Sequence, residues 1–190
     1  MVATFSKINK KSDFKIFTSS RKKSKNKIFF DVFKEETYKN IKAIKPHYII
    51  NCIGLIKPKI SINSSQSNIE CLKINSILPI YLSNNFKNSK IIHFSSDGVF
   101  NGFKGRYLEN DKPSSTDIYG VSKSMGEIVK KNVMNIRCSI IGFEKKTNYS
   151  ILNWFLNVNS KKIKGYKDQF WNGITTLALS KICVGIIKTK

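Results

Sequence analysis

Tyr119 and Lys123 stand four positions apart in YGVSK, so on a helix they share one face, one turn apart. A phenol ionises near pH 10 and is a poor acid or base at neutrality unless a cation stabilises its phenolate. In this reading the Lys123 ammonium is that cation. Lowering such a pKa by two or three units corresponds to about 3 to 4 kcal/mol of differential stabilisation, within reach of a neighbouring positive charge. Ser96, in FSSDGVF, adds a hydroxyl able to hydrogen-bond a carbonyl oxygen beside the phenol. Together the three types make a proton-transfer site for a carbonyl group. A Tyr and a Lys one turn apart occur in many helices, so the weight falls on where the chain puts them.

The elements that must position them alternate between short β-type runs and longer helical stretches, which predicts an α/β fold with a parallel sheet. Strands are expected at Phe14–Phe17, Lys27–Phe30, His47–Ile53, Lys90–Ser96 and Met134–Ile141. HYIINCI is apolar on both faces, as a central parallel strand should be. Helices are expected at Lys34–Ala43, Gln66–Phe86 with a kink at Pro79, Thr116–Asn132, Tyr149–Val158 and Thr175–Ile187. Three features then fall at strand ends, where an open α/β sheet forms its ligand crevice. INCIG brings Cys52, Ile53 and Gly54 into a small-residue turn that lets a cofactor approach the backbone. FSSDGVFNGFKG puts Ser95 and Ser96 before a loop with three glycines, and YGVSK opens a helix.

Composition narrows the classes. The 190 residues are 41% hydrophobic, enough for one core, and the apolar runs are far shorter than the roughly 20 residues of a spanning helix. Met1–Lys11 has no apolar run of a signal peptide, so a cytoplasmic protein is expected. Cys52, Cys71, Cys138 and Cys183 are scattered and only two histidines occur, which argues against a metal site. Cys52 and Cys138 lie in Val/Ile-type runs, where a thiol usually behaves as a small buried hydrophobe. The net charge of +22 suggests polyanions, yet lysines are spread along the whole chain together with many Asn and Ile, as AT-rich coding produces. Only Arg21–Lys27 is densely basic, and no aromatic residues interleave with it, which argues against nucleic acid as partner.

With those residues in place, KIIHFSSDGVFNGFKGRYLENDKPSSTDIYGVSKSMGE (Lys90–Glu127) resembles the catalytic region of the dTDP-4-dehydrorhamnose reductases, extended short-chain dehydrogenases that act on sugar nucleotides. NIRCSIIG (Asn135–Gly142) and YKDQFWNGITTLALSKI (Tyr166–Ile182) are similar to later segments of that family. The resemblance implies a Rossmann-like doubly wound sheet over 1–142, binding NAD(P), and the start of a substrate-binding region over 143–190. It implies reduction of a 4-keto-6-deoxy sugar on a nucleoside diphosphate, in surface polysaccharide synthesis. Hydride would come from the nicotinamide, a proton from Tyr119, and Lys123 would also hold the nicotinamide ribose. Ser96 falls on the family's S-T-D hydroxyl, with Asp97, Gly98 and Val99 beside the substrate. Asn75 matches a recurring asparagine, placed near the cofactor with Cys52, Ile53 and Gly54. Ser19, Ser20 and Arg21 resemble the end of the second Rossmann strand, where an arginine accommodates an adenosine 2′-phosphate, so NADPH is favoured over NADH. Asp31 matches the acidic position near adenine. Arg137 would face the sugar-nucleotide phosphates and Trp171 the sugar pocket.

One family feature is missing: the sequence contains no G-x-x-G-x-x-G, the turn whose amides hold the cofactor pyrophosphate. In the strand order 3-2-1-4-5-6 the strand before it is central, so its absence predicts a gap in the sheet. The expectation is an internal piece of a longer reductase, completed by a missing segment or by a homodimer. Two alternatives stay open: a non-catalytic nucleotide-binding or regulatory scaffold of the same fold, and an inactive fragment.

Overall fold

A computed structural model describes residues 2–8, 14–144, 149–159 and 162–189. Of the lysine-rich start, Lys10 and Lys11 lie outside the described residues. The chain divides into two compact units, 11–137 and a second formed by 3–10 with 138–190.

The first unit carries the parallel α/β layers. Its elements run β1 (Ser19–Ser20), β2 (Ile28–Phe29), α2 (Tyr38–Lys42), β3 (Tyr48–Asn51), α3 (Ser65–Leu72), α4 (Leu78–Asn85), β4 (Lys90–Phe94), α5 (Ile118–Met125) and β5 (Val133–Ile136); the helix Val2–Ile8 at the start of the chain is α1. Strands β3, β4 and β5 form one sheet in that order, all parallel, with Asn51 opposite His93 and Phe94 opposite Ile136. Strands β1 and β2 pair only with each other, also in parallel. The expected gap is therefore present as a break between β1–β2 and β3–β4–β5. The first strand is not at Phe14–Phe17, which is irregular, but at Ser19–Ser20, two residues long. An apolar FKIF run next to a lysine-rich stretch reads as a strand only if a neighbouring strand pairs with it, and none does.

A shared core joins the two sheets of this unit. Phe30, Leu78, Leu82, Phe86 and Ile91 are buried together, with Tyr38, Ile49, Ile53 and Tyr81 packed against them. Tyr38 meets Phe30 and Tyr81 edge-on, at centroid distances of 4.9 and 4.4 Å, an arrangement that suits the ring quadrupoles. Thr37, almost fully buried, ties the turn after β2 by donating to the Lys34 carbonyl and accepting from the Asp31 amide.

The long helix expected at Gln66–Phe86 is present as α3 and α4, joined by a single π-helical turn at Lys73–Ile77. Pro79 explains the irregularity: without an N–H it cannot bond the carbonyl four residues back, that of Asn75. The next helix is shorter than Thr116–Asn132. Asp117 caps it by accepting from the Gly120 amide, and it ends at Gly126, where an added Cβ would lie 2.1 Å from the Asn75 carbonyl oxygen. Met134–Ile141 is likewise not one strand, because the chain leaves the sheet after Ile136. Apolar continuity across Cys138 hides that change of partner.

In the second unit Ile140–Ile141 (β6) pairs in parallel with Ile174–Thr175 (β7). Helix α6 (Ile151–Asn157) starts at Ser150, which accepts from the Asn153 amide, while buried Asn153 bonds both the N–H and the C=O of Glu144. Helix α7 (Thr176–Lys188) is capped by Thr175 and buries Leu179, Ser180 and Cys183. No helix among the described residues is long and apolar enough to cross a membrane. The buried cysteines are Cys71 and Cys183; Cys52 is exposed and Cys138 half-buried, the reverse of the expectation, because both fall just past their strands.

Candidate active site

Strand β4 ends at Phe94, and the backbone turns so that Ser96 caps a short 3₁₀ turn, Asp97–Val99, its Oγ accepting from the Gly98 amide at 3.0 Å. Across this turn lies the first turn of α5. An added Cβ at Gly98 would sit 3.2 Å from both Ser96 Oγ and Tyr119 Cε1, so the serine hydroxyl and the edge of the phenol ring meet at Gly98. A Cβ at Gly120 would lie 2.3 Å from the Gly98 carbonyl oxygen, a backbone atom that cannot swing away. The two glycines thus set how closely the serine turn and the tyrosine helix approach.

Lys123, one turn further, is buried, and its ammonium donates to the Phe94 carbonyl at 2.5 Å. A Cβ at Gly54 would fall 3.7 Å from Lys123 Nζ and 3.6 Å from Asn75 Oδ1, which brings the turn after β3 to the same place. Asn75 holds that turn. Its Oδ1 accepts from the Leu55 amide at 2.8 Å and its Nδ2 donates to the Leu55 carbonyl at 3.1 Å and to Ser122 Oγ at 3.1 Å. Because Asn75 sits in the π turn, fully buried, it can face Leu55 while Ser76 donates to the Ser122 carbonyl. Ser96, Tyr119, Lys123, Gly54 and Asn75 therefore converge.

The electrostatics depart from expectation. Burial pushes the Tyr119 phenol above its ordinary value, an effect that the hydrogen bond with Ser96 opposes and the negative charges of Asp97 and Asp117 reinforce. The Lys123 ammonium donates to the Phe94 carbonyl, and a second cation, Lys57, ion-paired with Asp117, lies 5.7 Å from the centre of the Tyr119 ring. The balance of these effects favours the protonated phenol. Behind the site, His93 is almost fully buried, its Nδ1 hydrogen-bonded with the Asn51 side-chain Nδ2 at 3.1 Å, and its pKa is lowered to about 3, first by burial and then by the Lys123 charge.

Other expected residues lie elsewhere or serve other ends. Ser19, Ser20 and Arg21 stand at the end of β1, with Ser20 Oγ accepting from the Lys22 amide. Asp31 follows β2 and accepts from the Phe33 amide. Cys52 and Ile53 flank Gly54 in the turn after β3, and Ile53 packs into the core. Asp97 is exposed. Val99 does not face a crevice: it is fully buried and its carbonyl accepts from the Ser114 and Ser115 amides. Arg137 is engaged by Glu127 at 2.7 Å and by the Glu109 and Asp111 carbonyls, which corrects its expected exposure to a phosphate. Trp171 belongs to the second unit, exposed, with its ring against Gly173. Sequence reasoning missed Lys57, His93 and Glu127. A polar His in an apolar strand was a signal for His93; nothing marked Lys57. No group of three or more His, Cys, Asp or Glu fit to hold a metal ion occurs among the described residues.

Known proteins share this arrangement of elements. A structure of the dTDP-4-dehydrorhamnose reductase of Clostridium acetobutylicum is similar with a TM-score of 0.80 at 19% identity, over 97% of this chain and 65% of that one. A hypothetical dTDP-4-dehydrorhamnose reductase from Sulfolobus tokodaii gives 0.79 at 20% identity, over 98% and 68%. The Bacillus anthracis enzyme, solved in complex with NADP, gives 0.70 at 22%, over 84% and 59%. Such identities speak to the fold, which is Rossmann-like. Methionine adenosyltransferase 2 subunit beta of Danio rerio is 30% identical over 87 residues, 46% of this chain and 26% of that protein. The chain thus spans under two thirds of the Clostridium protein and about a quarter of the zebrafish one. A family model described as the RmlD substrate binding domain matches from residue 7 to residue 190, and on that match the chain belongs to the RmlD substrate-binding-domain family.

Proposed function

We propose that this chain carries the proton-transfer half of an NADPH-dependent reductase acting on a 4-keto-6-deoxy sugar of a nucleoside diphosphate, serving surface polysaccharide synthesis. The observation that supports it is the meeting of Ser96 Oγ and the Tyr119 ring at Gly98 beside buried Lys123. A buried, protonated phenol suits the reducing direction, in which an acid is needed. The Tyr119 O–H bond breaks as its proton passes to the carbonyl oxygen of the sugar, and Ser96 hydrogen-bonds the same oxygen. The phenolate left behind regains its proton from solvent while Ser96 keeps its hydroxyl on the sugar oxygen.

The cofactor fits on one observation of this structure. Gly54 is exposed beside Asn75 and Lys123, which an added Cβ would touch at 3.6 and 3.7 Å, so its bare backbone lets a cofactor approach close to both. Lys123 and the Gly54 turn would hold the nicotinamide ribose, and Ser19, Ser20, Arg21 and Asp31 the adenosine end, with NADH an accepted substitute. Bound there, the dinucleotide supplies the hydride. The Bacillus enzyme, solved with NADP, and the similar MoeE5, solved with UDP-glucose and NAD, support this cofactor class. A second reading, a non-catalytic subunit of the same fold, is favoured by the likeness to a protein named as a beta subunit. Tyr119→Phe separates the two. A reductase loses at least a hundredfold in turnover while its NADPH affinity, followed by nicotinamide fluorescence, stays within twofold. Unchanged function in the variant would refute the reductase reading.

A further inference from the structure

Ser95, the residue before Ser96, turns its hydroxyl to the opposite side and donates to Glu127 Oε1 at 2.5 Å. Glu127 is also gripped by Arg137, with Nε to Oε1 at 2.9 Å and Nη2 to Oε2 at 2.7 Å, a bidentate pair whose side chains are 10% and 21% exposed. The remaining nitrogen, Nη1, donates to the Glu109 and Asp111 carbonyls, both at 3.1 Å, and the guanidinium carbon lies 5.0 Å from the centre of the Phe100 ring. One cation thus touches the loop after Ser96 at both its ends. Within that loop Phe100 stacks on Tyr107, Tyr107 donates to Asn101, Asp111 accepts from the Leu108 amide and pairs with Lys104, and Ser114 accepts from the Asn101 amide.

We infer that Glu127 and Arg137 are positioning residues, a single ionic strut that fixes the Ser96 turn through Ser95 and the 100–115 loop through its backbone carbonyls. The part concerning Ser96 rests on the proposed reductase reading, since only there does the serine hydroxyl need a fixed place. The strut explains why the two segments can be held together although no strand joins them. Glu127 lies just past α5, so the helix that carries Tyr119 and Lys123 is tied to the same network. A guanidinium is required rather than an ammonium, because a planar fork is needed to meet both carboxylate oxygens and still reach the carbonyls.

The test is hydrogen–deuterium exchange of this chain, read by peptide, in Glu127→Gln, Arg137→Lys and the double variant. In each single variant, exchange in 95–100 and in 100–115 should accelerate at least tenfold together, while 48–51 and 90–94 stay within twofold. The double variant should add nothing to either single change, because both remove the same link. Acceleration in only one of the two segments, equal acceleration in the core strands, or additive effects in the double variant would overturn the inference. None of these readouts needs turnover, so an outcome against the strut is distinct from failure of the reductase reading, which the Tyr119→Phe variant tests.

Discussion

Acidification from pH 7 to pH 5 should weaken this fold through one imidazole. His93 lies inside β4, almost fully buried between the Asn51 amide and the Lys123 charge, and its pKa is lowered to about 3. The unfolded chain takes up a proton near pH 6.5 that the folded chain refuses, so this contribution is complete above that value and drains away as the pH falls toward 3. With those two values, the loss between pH 7 and pH 5 is about 2 kcal/mol, and lower still it approaches roughly 4 to 5 kcal/mol. The pKa values of Asp111 and Asp117 are lowered, so both stay charged above pH 5 and contribute no slope there. Urea unfolding at pH 5, 6 and 7 measures the effect, and His93→Gln, which keeps a polar partner for Asn51, should flatten it. A level wild-type curve, or the same slope in the variant, would refute the reasoning.

Three further outcomes follow from the geometry. Gly126→Ala, which sets a methyl 2.1 Å from the Asn75 carbonyl oxygen, should cost about 2 to 3 kcal/mol in urea unfolding, because backbone rather than a flexible side chain must yield. Asn75→Ala leaves the Leu55 amide and carbonyl without their side-chain partners and should cost about 2 kcal/mol, together with a weaker NADPH titration. Reductive turnover should stay level from about pH 6 to pH 9 and fall only at more alkaline pH, since burial holds the Tyr119 proton; a fall centred near pH 7 would contradict this.

The sequence made the order of elements legible wherever strong periodicity met a strong boundary. The helix around Leu72–Leu82, the strand at Ile91–Phe94 and the Tyr119 helix were found because burial, spacing and turn residues agreed. The break between the β1–β2 pair and the β3–β4–β5 sheet was also legible, since a glycine-rich turn was missing from the string. What failed was anything that depends on a partner far along the chain. Arg137 read as a phosphate ligand because its carboxylate, Glu127, belongs to another element. Spacing gave Tyr119 and Lys123 a shared face but not the direction of the long side chain, which donates to the Phe94 carbonyl. Val99 read as part of a crevice because a loop residue gives no sign of being fully enclosed.

The π turn at Lys73–Ile77 has a consequence for how this stretch tolerates change. One extra residue in a turn offsets everything after it by about 100° around the axis. Before the turn, Cys71 points to Ser122 at 3.1 Å; after it, Leu78 and Leu82 point to Phe30 and Ile91. A single rod thereby serves two masters, and removing any one residue from the turn would restore ideal winding while aiming the second half at solvent.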